Sequence, residues 1–242
     1  MTPSGYLALL LWMFALVALS ALNDRLLSRI FTSGRHRVFV WLGVVVHEAS
    51  HWLACVLTGT KVFEVRMFER DGGYVRHERR GPVVMALIAL APIAGCSLFL
   101  VFLVHLFRAL GVLFEPGGLE LERPLESIFT LLKSAALTFW MNITALSIVT
   151  VLFLVFLYFV WSVAACLAPS RQDLGHAATG SVVLALLGAL SVLLKPLSVL
   201  GVEGTPVMDF IGSALAEAVG VALIVSIFPL IIGIPIALAG SR

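Results

Sequence analysis

Long runs of apolar residues dominate the chain, and short polar stretches separate them. A helix rises about 1.5 Å per residue, so roughly 20 apolar residues cross a hydrocarbon core of about 30 Å. The pattern predicts five strong spans and a sixth that Pro229 and Pro235 kink or end early. The strong spans are residues 6–22, 38–58, 82–107, 142–168 and 181–199, and the sixth is 211–238.

Two other segments differ from these spans. Residues 125–140 carry Glu126 and Lys133 in an otherwise apolar run, which is typical of an amphipathic helix at the membrane interface. Residues 61–70 are rich in β-branched and aromatic residues, Asp71-Gly72-Gly73 follows as a turn, and Tyr74-Val75-Arg76-His77 is strand-like again. This order predicts a β-hairpin at about 61–78, directly after the second span.

Composition agrees with a membrane protein. The chain of 242 residues is 60% hydrophobic and 12% charged, whereas a soluble domain has about 45–50% and about 25%. These values exclude a soluble enzyme, a nucleic-acid-binding module and a disordered chain. We find no repeat or low-complexity linker, so residues 1–242 form one domain. We therefore expect an all-α polytopic membrane protein of about six transmembrane helices, with one membrane-associated β-hairpin.

The most informative polar residues lie inside the second span, in His47-Glu48-Ala49-Ser50-His51. Residues i and i+4 share one face of a helix, so the two imidazoles can reach a single Zn²⁺. Glu48 then lies beside the metal, where it can act as general base on a zinc-activated water. His47 is nine residues into the span, or about 14 Å, near the middle of the bilayer, where ionisable groups are costly and usually functional.

The third protein ligand of a catalytic zinc must come from elsewhere in the chain. The candidates are His36, Asp71, His77, His105, Asp173, Asp209 and Glu217. Asp173 follows the fourth span, and Pro169 would turn the chain so that this carboxylate points back toward the bundle. The capping of the next helix is an equally ordinary role for it, so these residue types alone leave the third ligand open.

The motif within a span resembles the site-2 protease family of intramembrane metalloproteases. Thr58-Gly59-Thr60-Lys61-Val62 and Gly72-Gly73-Tyr74-Val75 are also similar to that family, whose zinc-binding helix is followed by a β-hairpin. Ala91-Pro92 and the segment 168–173 look like a small divergent branch without a PDZ domain. The similarity covers about residues 38–175, and the remainder is matched only in being apolar.

The resemblance implies that Asp173 is the third ligand, since the family uses an aspartate in a Leu-Asp-Gly-like element after a later span. This chain departs from the family at three points. Ser50 replaces the usual glycine before the second histidine, Leu174 separates Asp173 from Gly175, and the usual Asn-x-x-Pro element is missing.

We therefore expect an intramembrane zinc endopeptidase that cuts transmembrane segments of other membrane proteins. Its substrate would pair by strand addition with the hairpin, near Gly72, Gly73, Tyr74 and Val75. Lys and Arg divide evenly between the two sides of a six-span topology and do not orient it. The resemblance places the hairpin and the opening of the site toward the cytoplasm, in a multi-pass protein of a prokaryotic cell membrane. The alternatives are a metal-ion or proton transporter and a non-catalytic relative that binds transmembrane helices.

Overall fold

The computed structural model describes residues 3–30, 40–67, 69, 72–113, 124–168, 173, 214 and 217–227. Within them the chain forms six helices and one two-stranded antiparallel sheet. The helices are α1 Pro3–Ile30, α2 Trp41–Leu57, α3 Pro82–Ala109, α4 Pro124–Thr144, α5 Ile148–Ala165 and α6 Glu217–Ile227, and the strands are β1 Val62–Arg66 and β2 Tyr74–His77.

Four of the predicted spans, 6–22, 38–58, 82–107 and 142–168, coincide with α1, α2, α3 and α5. The prediction placed the start of the last one too early, because residues 142–144 end α4 and α5 begins only at Ile148. Ser147 starts α5 with a capping box: its side chain accepts from the Val149 N–H, and Thr150 accepts in return from the Ser147 N–H. Hydropathy does not detect such a cap. The span 181–199 lies outside the described residues, and of 211–238 the structure describes 214 and 217–227.

Two described helices, α3 and α5, are long and apolar enough to cross a membrane by length and composition. Their mean hydropathies are 2.6 and 2.5, while α2 and α6 are shorter apolar helices. Several large apolar side chains on α3 and α5 point outward rather than into the bundle: Leu87, Leu98, Phe102, Val151 and Leu154.

The helix α2 lies against both α3 and α5, and glycines make these contacts close. A Cβ atom added to Gly43 of α2 would lie 1.9 Å from the carbonyl oxygen of Ser162 on α5. A Cβ atom on Gly95 of α3 would lie 2.0 Å from the Ser50 hydroxyl oxygen on α2. Such small residues let apolar helices approach backbone to backbone. The helix that carries the histidine pair is therefore held on two sides.

The predicted hairpin is confirmed as an antiparallel pair, with Val65 opposite Val75 and Arg66 opposite Tyr74. Gly72 has a φ of 109°, which a side chain would strain, so the turn needs glycine there. Glu64 accepts a hydrogen bond of 2.9 Å from the Tyr74 hydroxyl and another from Arg66. These donors hold the pKa of the Glu64 carboxyl below its usual value. Both strands contact α2, which places the turn beside the histidine helix.

Candidate metal centre and active site

His47 and His51 form a buried pair on one face of α2. Their exposed fractions are 9% and 8%, and their ring centroids are 5.0 Å apart. One helical turn separates them, so the α-helix alone sets this spacing. What distinguishes a metal site from two core histidines is the direction in which the ring nitrogens point.

The ring of His47 is fixed by the end of α5. Its Nδ1 lies 2.6 Å from the carbonyl oxygen of Cys166, the residue that caps α5. The last carbonyls of a helix have no partner within the helix, so this one is available to a side chain. A carbonyl oxygen only accepts, and Nδ1 of His47 must therefore carry the hydrogen and donate it.

The ring of His51 is fixed by a carbonyl in the middle of α3. Its Nδ1 lies 2.9 Å from the carbonyl oxygen of Ile88. In a continuous helix that oxygen would accept from the N–H four residues later, but residue 92 is proline and has no N–H. Pro92 thus leaves the Ile88 carbonyl without its helical donor, and His51 supplies one.

In the neutral form of each ring, Nε2 is consequently the atom that bears a lone pair. This is the arrangement of metal-binding histidines, whose second nitrogen donates to a carbonyl or carboxylate. The carboxylate of Asp173 faces these two atoms: its Oδ2 lies 3.6 Å from Nε2 of His51 and 4.0 Å from Nε2 of His47.

The three side chains fit a metal ion. Their ligand atoms lie within 4.8 Å of one another, and among the described residues no other group of three such side chains is as close. Zinc bonds of about 2.0–2.1 Å in a tetrahedron put ligand atoms about 3.3 Å apart, so each pair of ligand atoms would need to approach by about 1.5 Å or less. Two nitrogens and one carboxylate oxygen leave a fourth position open, as catalytic sites require.

The other candidates for the third ligand lie elsewhere or outside the described residues. His105 is 17 residues beyond Ile88 on α3, or about 25 Å along the helix. Glu217 pairs with Arg108 at that same far end of α3. His77 lines the cavity of the site but is not part of the three-residue cluster. The outstanding candidates His36, Asp71 and Asp209 fall outside the described residues.

Glu48 lies in the same cavity as the cluster. The cavity has a volume of about 630 Å³, and its lining comprises His47, Glu48, His51, Gly73, Tyr74, Val75, Arg76, His77, Arg79, Met85, Ile88, Ala89 and Asp173. Gly73 packs directly on Glu48, since a Cβ there would lie 2.4 Å from Cγ of the glutamate. Of the residues predicted to bind substrate, Gly73, Tyr74 and Val75 line the cavity, whereas Gly72 is buried in the turn.

Sequence reasoning missed the two carbonyls that orient the histidines and the arginines beside the cavity. The free carbonyl of Ile88 could have been predicted from the sequence, because a proline inside an apolar helix always frees the carbonyl four residues earlier. The role of the Cys166 carbonyl could not have been predicted from the sequence, because it depends on where α5 ends relative to α2.

Comparisons of this chain with protein-family models, curated proteins and solved structures found no match.

Proposed function

We propose that this chain is an intramembrane zinc metalloprotease that hydrolyses peptide bonds in or near transmembrane segments. One observation carries the proposal. His47 and His51 both donate Nδ1–H to backbone carbonyls, so both Nε2 atoms are available beside Asp173, in a cavity that also contains Glu48. Two histidines that only fill a helical core would not require oriented Nε2 atoms, a facing carboxylate and a neighbouring glutamate at the same time.

A membrane location is supported by the outward surface of the helices. The helices α3 and α5 expose large apolar side chains, among them Leu98 and Val151, and such surface is typical of a face that meets a membrane or a partner. A bilayer covers them without cost, and the low charge of the whole chain agrees with several spans. We propose a multi-pass protein of a prokaryotic cell membrane, with the hairpin and the mouth of the cavity toward the cytoplasm, as in the site-2 protease family that the motif resembles.

His47, His51 and Asp173 would hold the zinc ion. When bound, zinc lowers the pKa of a coordinated water to about 7 and polarises the carbonyl under attack. Zinc suits this donor set, because two imidazoles and one carboxylate with an open fourth position make a hydrolytic site.

Glu48 is the group that moves the proton. It accepts a proton from the attacking water as the water oxygen bonds to the carbonyl carbon of the peptide. It then returns that proton to the departing nitrogen as the carbon–nitrogen bond breaks. Gly73 covers the Glu48 side chain, and this contact keeps the carboxylate inside the cavity.

The hairpin would present the substrate. A transmembrane helix hides its carbonyls in internal hydrogen bonds, and unpaired backbone groups are costly in lipid. The residues Gly73–His77 line the cavity along β2, and within the described residues the sheet has only two strands. The outer edge of β2 can therefore supply backbone partners to an opened substrate segment.

The test compares the wild-type protein with Glu48→Gln after purification in detergent. We expect both to contain one zinc ion, and only the wild type to cleave a panel of co-expressed single-span test proteins. Glu126→Gln, an exposed carboxylate on α4, is the matched control and should cleave normally. A protein that contains no zinc, or one that leaves every test span intact, contradicts the proposal; metal uptake into vesicles would instead favour a transporter.

A further inference from the structure

The cavity of the candidate active site has a cationic side formed by the hairpin. Arg76 and Arg79 line it, at the end of β2 and just beyond. The anionic lining residues are Glu48 and Asp173, which the proposed chemistry already uses. A substrate segment that enters past the hairpin therefore meets positive charge.

Arg79 differs from the other described arginines near the hairpin in its ion pairing. The other described arginines of this segment have carboxylate partners: Arg66 with Glu64 and Glu69, Arg76 with Glu64 at 3.7 Å, and Arg80 with Glu78 at 3.2 Å. Lys61 lies over the ring of Phe63 at 5.6 Å. Arg79 is exposed, and it makes no hydrogen bond or ion pair with the described residues. Arg79 thus lines the cavity with a charge that no described carboxylate pairs.

We propose that Arg79 selects substrates that carry an acidic side chain close to the scissile bond. The inference rests on the proposed function, because it treats the cavity as the place where a peptide is cut. Gly73 contacts Glu48, and Arg79 is six residues farther along the chain. At about 3.3 Å per residue the two points are at most about 20 Å apart. The acidic residue therefore lies within about six residues of the cleaved bond.

This selection would act as a filter among membrane proteins. The cytoplasmic flanks of transmembrane helices are usually enriched in Lys and Arg. Such flanks would be repelled by the arginine side of the cavity, since like charges brought together at an interface disfavour binding. A span with an acidic flank would be attracted.

A peptide fits this site better than a lipid headgroup. Anionic lipids are attracted by any exposed cation near the membrane surface, and Lys61, Arg66 and Arg80 would serve them as well as Arg79. Among the described arginines, only Arg76 and Arg79 line the cavity that holds Glu48. Arg80 is thus the matched control, because it is a neighbouring arginine of the same charge that lies outside the cavity lining.

The experiment measures peptide binding apart from cleavage. Three dye-labelled synthetic single-span peptides, identical except for an Asp-Asp, Ser-Ser or Lys-Lys flank, are titrated with the Glu48→Gln protein, and fluorescence anisotropy is recorded. An exposed ion pair changes an affinity by about fivefold or less. The acidic flank is attracted by Arg79 and the basic flank is repelled, and both effects separate the two peptides. We therefore expect the acidic peptide to bind about tenfold more tightly than the basic one. Arg79→Glu should reverse this order, Arg79→Gln should abolish it, and Arg80→Glu should keep it.

Two results would overturn the inference. Equal binding of the acidic and basic peptides to the Glu48→Gln protein would show that no charge is selected, whatever the variants do. If Arg79→Glu and Arg80→Glu lost equal amounts of affinity for the acidic peptide, the attraction would come from a general surface potential, of the kind that attracts lipid headgroups. Cleavage by wild type separates the two proposals: flank-independent cleavage contradicts only the inference, whereas charge-selective binding without any cleavage contradicts only the proposed protease.

Discussion

Replacement of Pro92 by alanine should strengthen α3 and weaken the metal site at the same time. Alanine restores the N–H that a helix normally donates to the carbonyl of residue 88. That carbonyl now accepts from Nδ1 of His51 at 2.9 Å. The new N–H competes for the same oxygen and draws it back toward the helix axis, so the imidazole loses the bond that fixes its direction.

The two expected effects have opposite signs. A proline within a helix costs about 3 kcal/mol relative to alanine, and the loss of two buried methylenes costs about 0.8 kcal/mol each, so the metal-free protein should be about 1 kcal/mol more stable. Removal of a partner that orients a metal ligand typically weakens metal affinity by about 10–100-fold, which is about 1.4–2.8 kcal/mol. Pro92 is buried, and the smaller side chain leaves a gap that reduces the gain in stability.

The assay is a zinc competition titration with a chromophoric chelator, alongside thermal unfolding of the metal-free protein. Pro82→Ala is the matched control, since proline at the first turn of α3 removes no helical hydrogen bond and should leave zinc affinity unchanged. Unchanged zinc affinity in Pro92→Ala would refute the reasoning. A joint fall in affinity and stability would also refute it, because that result signals general damage to packing.

Other predictions concern the surroundings of the histidines. Gly95→Ala places a Cβ 2.0 Å from the Ser50 hydroxyl and should lower the free energy of unfolding by about 1–3 kcal/mol. Ser50→Gly in the same protein should restore most of it; a double variant as unstable as the single one would contradict this contact. Ser20 of α1 donates to the Ala165 carbonyl at 2.9 Å and accepts from the Ala168 N–H at 3.0 Å, across the turn that contains Cys166. Ser20→Ala should cost about 1–3 kcal/mol of stability and weaken zinc binding, whereas unaltered zinc affinity would show that this turn does not position His47. Chelation should lower the unfolding temperature of the wild type but not of a variant that lacks the metal ligands.

The residues that the sequence alone identified are those whose placement depends on local structure. The spacing of His47 and His51 is a property of any α-helix, and the glycines at 72 and 73 mark the turn of the hairpin without reference to the rest of the chain. The same holds for the apolar stretches that became α3 and α5. These features needed no knowledge of tertiary packing.

The remainder of the site depends on how the helices pack. The sequence left several acidic residues and histidines as possible partners of the histidine pair. The packing of the helices places the Asp173 carboxylate beside both Nε2 atoms. It places His105 and Glu217 at the far end of α3. Ser50 is another example. Its side chain lies at the contact of α2 with α3, and the space it needs is supplied across that interface by Gly95. A single sequence does not show which of two facing positions must be small.

The central claim is that Glu48 and a metal held by His47, His51 and Asp173 hydrolyse a peptide bond inside a membrane. The most direct measurement is mass spectrometry of a single-span test protein after incubation with the zinc-loaded wild type in heavy-oxygen water. We predict two fragments from one cut within or next to the span, with one heavy oxygen in the new carboxylate, and no fragments with Glu48→Gln at equal zinc content. The same fragments from Glu48→Gln would contradict the account, as would a wild-type protein that leaves the test span intact.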